Sequence, residues 1–193
     1  MPAYTALTDL ATVKEMAKIT GTSDDAKLGL IISAVSAAIS NYCNRNFGSA
    51  TYTETYNGSG TKFQWLRQRP VSAVASVSIY GTTIPAQGSN PNAYGYSFDL
   101  NRLYFAGFFP EGMQNVVVTY TAGYTISSTA VPGLWQAAAE WVVAEYNNLA
   151  HIEKGSDSAG QGMSTVYLKD MPWTVRQVVD SYRQVAQEQT LGN

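Results

Sequence analysis

Cysteine and histidine each occur once in this sequence, and charged residues make up only 13% of it. The lone cysteine, Cys43, excludes an internal disulfide, and its place in an apolar helical run reads as a small buried thiol. The lone histidine, His151, falls where a helical pattern ends, with no second His or Cys to complete a metal site. It reads as a surface or helix-terminal residue, and neither a metal nor a cofactor is expected. The charged share is about half that of an average soluble domain. Twelve basic residues against fourteen acidic ones leave a net charge of -2, so there is no overall basic field to attract nucleic acid. No apolar run approaches the ~20 residues of a membrane span. The opening "MPAYTALTDL" lacks the basic stretch and long apolar core of an export signal. Synthesis in the cytoplasm and no membrane contact are therefore expected.

Catalytic patterns are missing as well. No G-x-S-x-G singles out a serine, and the carboxylates are too scattered to nominate an acid–base pair. "GSG" at 58–60 lacks the lysine, the spacing and the following helix of a phosphate-binding loop, and reads as a turn. An enzyme is not expected.

What is present is an apolar chain, with 45% hydrophobic residues in a total of 193. A single domain over 1–193 is expected, burying roughly 70% of its unfolded surface. Its exterior must be covered by Ser, Thr, Asn, Gln, Gly and Tyr, which suits a protein that ends up packed against other proteins.

Two helices are predicted in "LTDLATVKEMAKITGTSDDAKLGLIISAVSAAISNYCNRNF". Thr8 or Asp9 caps the first, Leu10, Val13 and Met16 or Ala17 make its stripe, and Gly21 ends it. In the second, Leu28, Ile31, Ile32, Val35, Ala38, Ile39 and Tyr42 repeat as one buried face. Asp24 and Asp25 at its start read as caps rather than cation ligands.

From Ala50 to Thr121 the period changes to two and strand-forming residues dominate. Thr51 to Tyr56 is expected to pair with Lys62 to Leu66 as a hairpin around Asn57-Gly58-Ser59-Gly60. "SAVASVSIY" after Arg69-Pro70-Val71 is a third strand, irregular enough for a bulge or two-sided burial. "GTTIPAQGSNPNAYGY" reads as a loop, followed by short strands at Tyr96 to Leu100 and Arg102 to Phe105. In "NVVVTYTAGY", Val116, Val118 and Tyr120 face one side and Val117, Thr119 and Thr121 the other, and Gly123 lets the chain leave the sheet.

A helix from Pro132 to about Leu149 carries Leu134, Trp135, Ala137, Ala138, Ala139, Trp141, Val142, Val143, Ala144 and Tyr146. Being apolar nearly all round, it is expected to be buried on more than one side. "HIEKGSDSAGQGMS" reads as a polar loop and "TVYLKDMPW" as a short strand. Pro172 begins a last amphipathic helix, reaching Gln187, with Val175, Val178, Val179 and Tyr182 on one face. The fold class expected is α+β: mainly a helical bundle of about four helices (core 8–47 and 132–187) with an inserted small antiparallel β-sheet (50–122).

Thirteen Tyr, six Phe and four Trp could build a ligand platform, but most lie in core patterns. "FAGFFPEG" is the exception. Phe105, Phe108 and Phe109 stay exposed there unless something covers them, and contact with a neighbouring subunit is the preferred reading over ligand capture.

Taken in order, "LTDLATVKEMAKITGTSDDAKLGLIISAVSAAISNYCNRNF", "RPVSAVASV", "NVVVTYTAGYTISSTAVPGLWQAAAEWVVAEY" and "MPWTVRQVVDSYRQ" resemble the head–tail connector (adaptor, or head-completion) proteins of tailed bacteriophages. The long helix ending in Tyr-x-x-Arg-x-Phe, here Tyr42, Arg45 and Phe47, and the "VTYTAGY" strand before a Pro-started helix carry the likeness. The resemblance covers nearly the whole chain, through motifs that are structural and individually degenerate. It implies a structural protein of the virion neck with no catalytic residues. Such a protein forms a homo-oligomeric ring, a dodecamer, beneath the portal protein, and is a monomer when isolated. A tail-completion or stopper protein docks on the ring, and DNA passes through without specific binding.

By the same resemblance the terminal helix faces the portal, through Trp173, Arg176, Tyr182 and Arg183. Packing of Val175, Val178, Val179 and Tyr182 on the subunit's own core is the other reading of that helix. The loop from Gly155 to Gly162 lines the channel, orders on assembly or is a solvated linker. A ligand-binding module of a virion fibre and a tail-completion protein remain the alternative functions.

Overall fold

The structure, a computed structural model, describes residues 4–90, 93–155 and 170–183. The chain divides into two compact units, Gly48–Thr125 and Met1–Phe47 with Ile126–Asn193.

The Gly48–Thr125 unit is built of strands. They are β1 (Ala50–Gly58), β2 (Phe63–Trp65), β3 (Val71–Ile79), β4 (Thr82–Ile84), β5 (Tyr96–Phe98), β6 (Arg102–Phe105) and β7 (Gly112–Ala122). All pairings between them are antiparallel, in one sheet ordered β1-β7-β3-β4 and a second ordered β2-β6-β5. The alternation expected for β7 holds: Val116, Val118, Tyr120 and Ala122 are buried, whereas Val117, Thr119 and Thr121 are half-exposed. Buried residues of both sheets, among them Val77, Leu103, Phe105, Val118 and Tyr120, form one core together with Phe109 from the turn between β6 and β7.

Gly123 takes φ +112, and a Cβ there would come within 2.4 Å of the Gly48 carbonyl oxygen. Only glycine fits this conformation and this approach, which explains the Ala-Gly-Tyr strand end. The irregular third strand does carry register shifts against β7, between Val71 and Ala73 and between Val74 and Ser76.

Three expectations are corrected here. The proposed hairpin does not exist: Thr51 to Tyr56 pair with Val116 to Thr121 of β7, and β2 pairs with β6 in the other sheet. The turn residues Asn57 to Gly60 serve instead as a crossing between sheets, where a Cβ on Gly58 would stand 1.9 Å from Pro110 O. The stretch read as a loop contains β4, closed on β3 through Tyr80 and Gly81, both at positive φ, the geometry of a tight hairpin turn. The fold class changes most. Seven strands in two sheets with their own core, beside four helices, are not a helical bundle with a small inserted sheet. Strands of three or four residues carry too little periodicity to reveal a second sheet.

In the other unit lie α1 (Leu10–Ala17), α2 (Asp25–Tyr42), α3 (Pro132–Gly155) and α4 (Trp173–Asp180). Asp9 caps α1, its Oδ1 accepting from Thr12 N at 2.7 Å. Asp24 and Asp25 are not side-chain caps. Asp24 Oδ2 accepts from the Tyr146 hydroxyl at 2.9 Å, and Asp25 pairs with Lys14 at 2.6 Å, so both carboxylates tie α2 to neighbouring helices. As its composition requires, α3 is buried on several sides and packs against α1, α2 and α4. The buried Glu145 on α3 accepts from Trp141 Nε1 at 3.1 Å. The α3 helix runs past Leu149 to Gly155, including His151. Residues 156–169 and 184–193 lie outside the described residues, and with them most of the expected polar loop and most of the expected short strand, whereas the terminal helix, expected to reach Gln187, ends at Asp180 with Ser181 as its C-cap.

Candidate protein-docking site at the terminal helix

Pro172 is the N-cap of α4, whose short amphipathic sequence buries Val175 and Val179 and leaves Trp173 69% exposed. Each buried valine contributes about 1.5–3 kcal/mol, which a helix of this length needs, since eight residues do not hold a helix alone in water.

Besides packing on α3, α4 meets the C-terminal end of α2 and the turn after it, where Tyr42, Arg45 and Phe47 stand. The Tyr42 hydroxyl donates to Asp180 Oδ1 at 2.6 Å, and the guanidinium carbons of Arg176 and Arg183 lie 5.9 and 5.3 Å from the Tyr42 ring centroid. Such cation–π contacts hold an arginine head while leaving its donors available. Arg45 donates from Nη1 to the Tyr182 carbonyl oxygen at 3.4 Å and lies over the Phe47 ring, 4.9 Å from its centroid. Phe47 in turn meets the Tyr182 ring edge-on at 6.0 Å. Cys43, fully buried, contacts Val179 O at 3.6 Å through Sγ, and burial pushes its thiol up to about 11 despite nearby Arg45. Acceptance of its proton by Asp180 raises the Tyr42 hydroxyl as well.

The Tyr-x-x-Arg-x-Phe spacing therefore makes the cradle for α4: an aromatic ring and a hydroxyl, then a guanidinium, then a second ring. In the sequence these three residues stand out as a motif without their contacts, and Asp180 only as one of the polar residues of the terminal helix. The signal available was an aromatic-rich turn following a long buried helix, with a second amphipathic helix left to pack.

Of the residues expected to face the portal, Trp173, Arg176 and Arg183 are exposed and Tyr182 is half-buried. The structure brings Arg176, Tyr182 and Arg183 together around Tyr42 and Phe47, while Trp173 stands free at the start of the helix. The three phenylalanines separate differently. Phe105 and Phe109 are buried in the core of their own unit, 5.7 Å apart by ring centroids. Phe108 is 60% exposed, with Lys62 Nζ 5.5 Å from its ring centroid. Among the described residues no His, Cys, Asp and Glu cluster could hold a metal ion, and no helix is long and apolar enough to cross a membrane.

The fold is similar to that of chains in solved structures of gene transfer agent (GTA) particles. It resembles a chain in the neck of an empty GTA particle computed with C6 symmetry, at a TM-score of 0.55 and 22% identity over 91% of this chain and 88% of that one. A chain in the virion of a native gene transfer agent particle gives 0.55 and 21%, covering 96% and 94%. A third, in the neck of a native GTA particle computed with C12 symmetry, gives 0.51 and 19%, covering 86% and 93%. No curated protein matches the chain. The head completion protein family matches residues 6–185, and the chain belongs to that family.

Proposed function

We propose that this protein is a structural head–tail connector of the virion neck, which forms a ring beneath the portal protein and offers a tail-completion or stopper protein its docking platform. The family match across residues 6–185 carries this reading. Likeness in fold to chains from particle necks supports it. The terminal helix is the portal-facing element: Trp173 stands 69% exposed, and Arg176 and Arg183 are held by stacking with their donors free for a partner's acceptors. Exposed Phe108 is the part of the "FAGFF" turn available to a neighbouring copy. A ring uses heterologous contacts that close by rotation, and a weakly charged surface suits such packing. A net charge of -2 also suits a channel through which DNA slides, since accumulated Lys and Arg contacts would hold phosphate.

The test is a pull-down on portal rings with the full chain, with Trp173→Ala, and with Arg176→Ala and Arg183→Ala combined. Loss of attachment by about tenfold or more in folded variants is expected for hot-spot residues. Wild-type attachment by a chain lacking 172–193 would reject the assignment.

A further inference from the structure

The residues of β7 alternate in which neighbour they bond. Asn115 O accepts from Tyr80 N at 2.8 Å and Gly123 N donates to Pro70 O at 2.9 Å, so the odd-numbered positions turn their main chain toward β3. The even-numbered ones, Val116, Val118, Tyr120 and Ala122, turn theirs toward β1, opposite Tyr56, Glu54, Tyr52 and Ala50. Thr51, Thr53 and Thr55 are left with N–H and C=O directed away from the sheet. The side chains agree: the hydroxyls of Thr51 and Thr121 lie 3.3 Å apart and those of Thr53 and Thr119 3.0 Å, as expected of the closer, non-hydrogen-bonded pairs. All three outward threonines are exposed.

On the far side of this sheet β3 is closed along its length. Val71 N donates to Leu100 O at 2.8 Å, Val74 O accepts from the Tyr96 hydroxyl at 3.2 Å, and β4 pairs with Val77 to Ile79. Proteins ordinarily guard a long edge with Lys, Pro or an edge charge, because unpaired main-chain groups recruit another chain. Ala50–Gly58 has no Lys and no Pro, and its one charge, Glu54, is turned to the hydroxyls of Tyr56 and Tyr120. The register stays regular from Ala50 to Tyr56, shifting only beyond it.

We infer that the β1 edge from Thr51 to Thr55 is a strand-addition site that takes an extended, uncharged segment of a different neck protein. This rests on the ring reading above. Pairing of β1 with β1 of a second copy is a two-fold, isologous contact, which has no place in a polar ring whose two faces meet different partners. The β4 edge of a second copy turns only Thr83 outward, too little to form a ladder. In the second sheet of such a copy, Phe63 on the β2 edge is held by the Thr61 hydroxyl and Tyr96 on the β5 edge by Pro85 O and Gln87 N, so the occupant is a strand from another protein, held through its main chain, with alternate side chains meeting the threonines. It is uncharged where it meets them, since Thr51, Thr53 and Thr55 offer no charge to match.

Hydrogen exchange of the full chain, alone and in joined particles, tests this, together with Thr53→Pro and Thr53→Lys. Proline at an outward N–H leaves the β1–β7 ladder unbroken, and lysine guards the edge should the proline variant not fold. In joined particles the Ala50–Tyr56 segment should retain about three more protected amides than in the isolated chain. Either variant should enter heads as wild type does, yet cut head–tail joining by about tenfold. Unchanged exchange with the protein present in particles, or normal joining by a folded variant, overturns the site. Dimerisation of the purified chain that Thr53→Lys abolishes would make a second copy the occupant and overturn the partner assigned. Absence of the protein from purified particles would instead remove the ring reading itself.

Discussion

The Tyr42 hydroxyl donates to Asp180 Oδ1 at 2.6 Å, joining residues 138 positions apart in the chain. One tyrosine thus anchors α4 by its hydroxyl while its ring carries Arg176 and Arg183. Tyr42→Phe should keep the stacked arginines but loosen the helix, lowering attachment to portal rings about 2- to 10-fold, the worth of one hydrogen bond. Tyr42→Ala should cost more, because the guanidiniums lose their platform too. Equal attachment by the phenylalanine variant and wild type would show that the anchor is dispensable.

The core side of α4 makes a separate prediction. Val179 is fully buried, and Val179→Ala should destabilise the protein by about 1.5–3 kcal/mol in urea titration. Arg176→Ala, at an exposed position, should change stability by no more than about 0.5 kcal/mol while weakening portal binding.

Phe108 and Phe109 are adjacent in sequence and opposite in role. Phe109→Ala should cost about 3–5 kcal/mol, as loss of a fully buried ring does. Phe108→Ser should leave the melting temperature nearly unchanged and reduce ring formation, read by native mass spectrometry. Undiminished ring formation by Phe108→Ser would remove that residue from the subunit contact.

Glu54 accepts from the hydroxyls of Tyr56 and Tyr120, which themselves accept from Arg67 N at 3.1 Å and Gln68 N at 3.0 Å. Burial first, then the bonds to Glu54, raise both tyrosines well above the usual range. A raised acid keeps its proton in the folded state longer than in the unfolded chain. Stability from this cluster should therefore be fully present below pH about 10 and fall as pH rises beyond it. Tyrosinate absorbance should show these two hydroxyls ionising only as the strand unit unfolds. Tyr120→Phe leaves the Gln68 amide without its acceptor and should cost about 1–3 kcal/mol.

Much of the helical part was legible because periodicity in a long segment reports burial directly. The α2 pattern from Leu28 to Ile39 and the all-round apolar α3 are both buried as their patterns require. The β7 alternation was legible for the same reason, and Gly123 marked the strand end because only glycine tolerates its geometry there. Pairing partners were not. Asn57 to Gly60 carry turn chemistry, yet that chemistry does not say whether the next strand returns to the same sheet, and here it enters another. The roles of Asp24 and Asp25 were missed because Tyr146 and Lys14 are distant in sequence, so only folding brings them near. At the site, the exposed face of α4 was visible as an amphipathic pattern, whereas its anchor, Tyr42 with Asp180, is a long-range contact that no local pattern records.

The connector role is tested most directly by electron microscopy of packaged heads produced without this protein, before and after adding the purified chain. Heads alone should carry a bare portal vertex and join no tails, and added protein should build a ring at that vertex and restore joining. Tails joining normally without it, or a vertex that stays bare when the protein is supplied, would contradict the role.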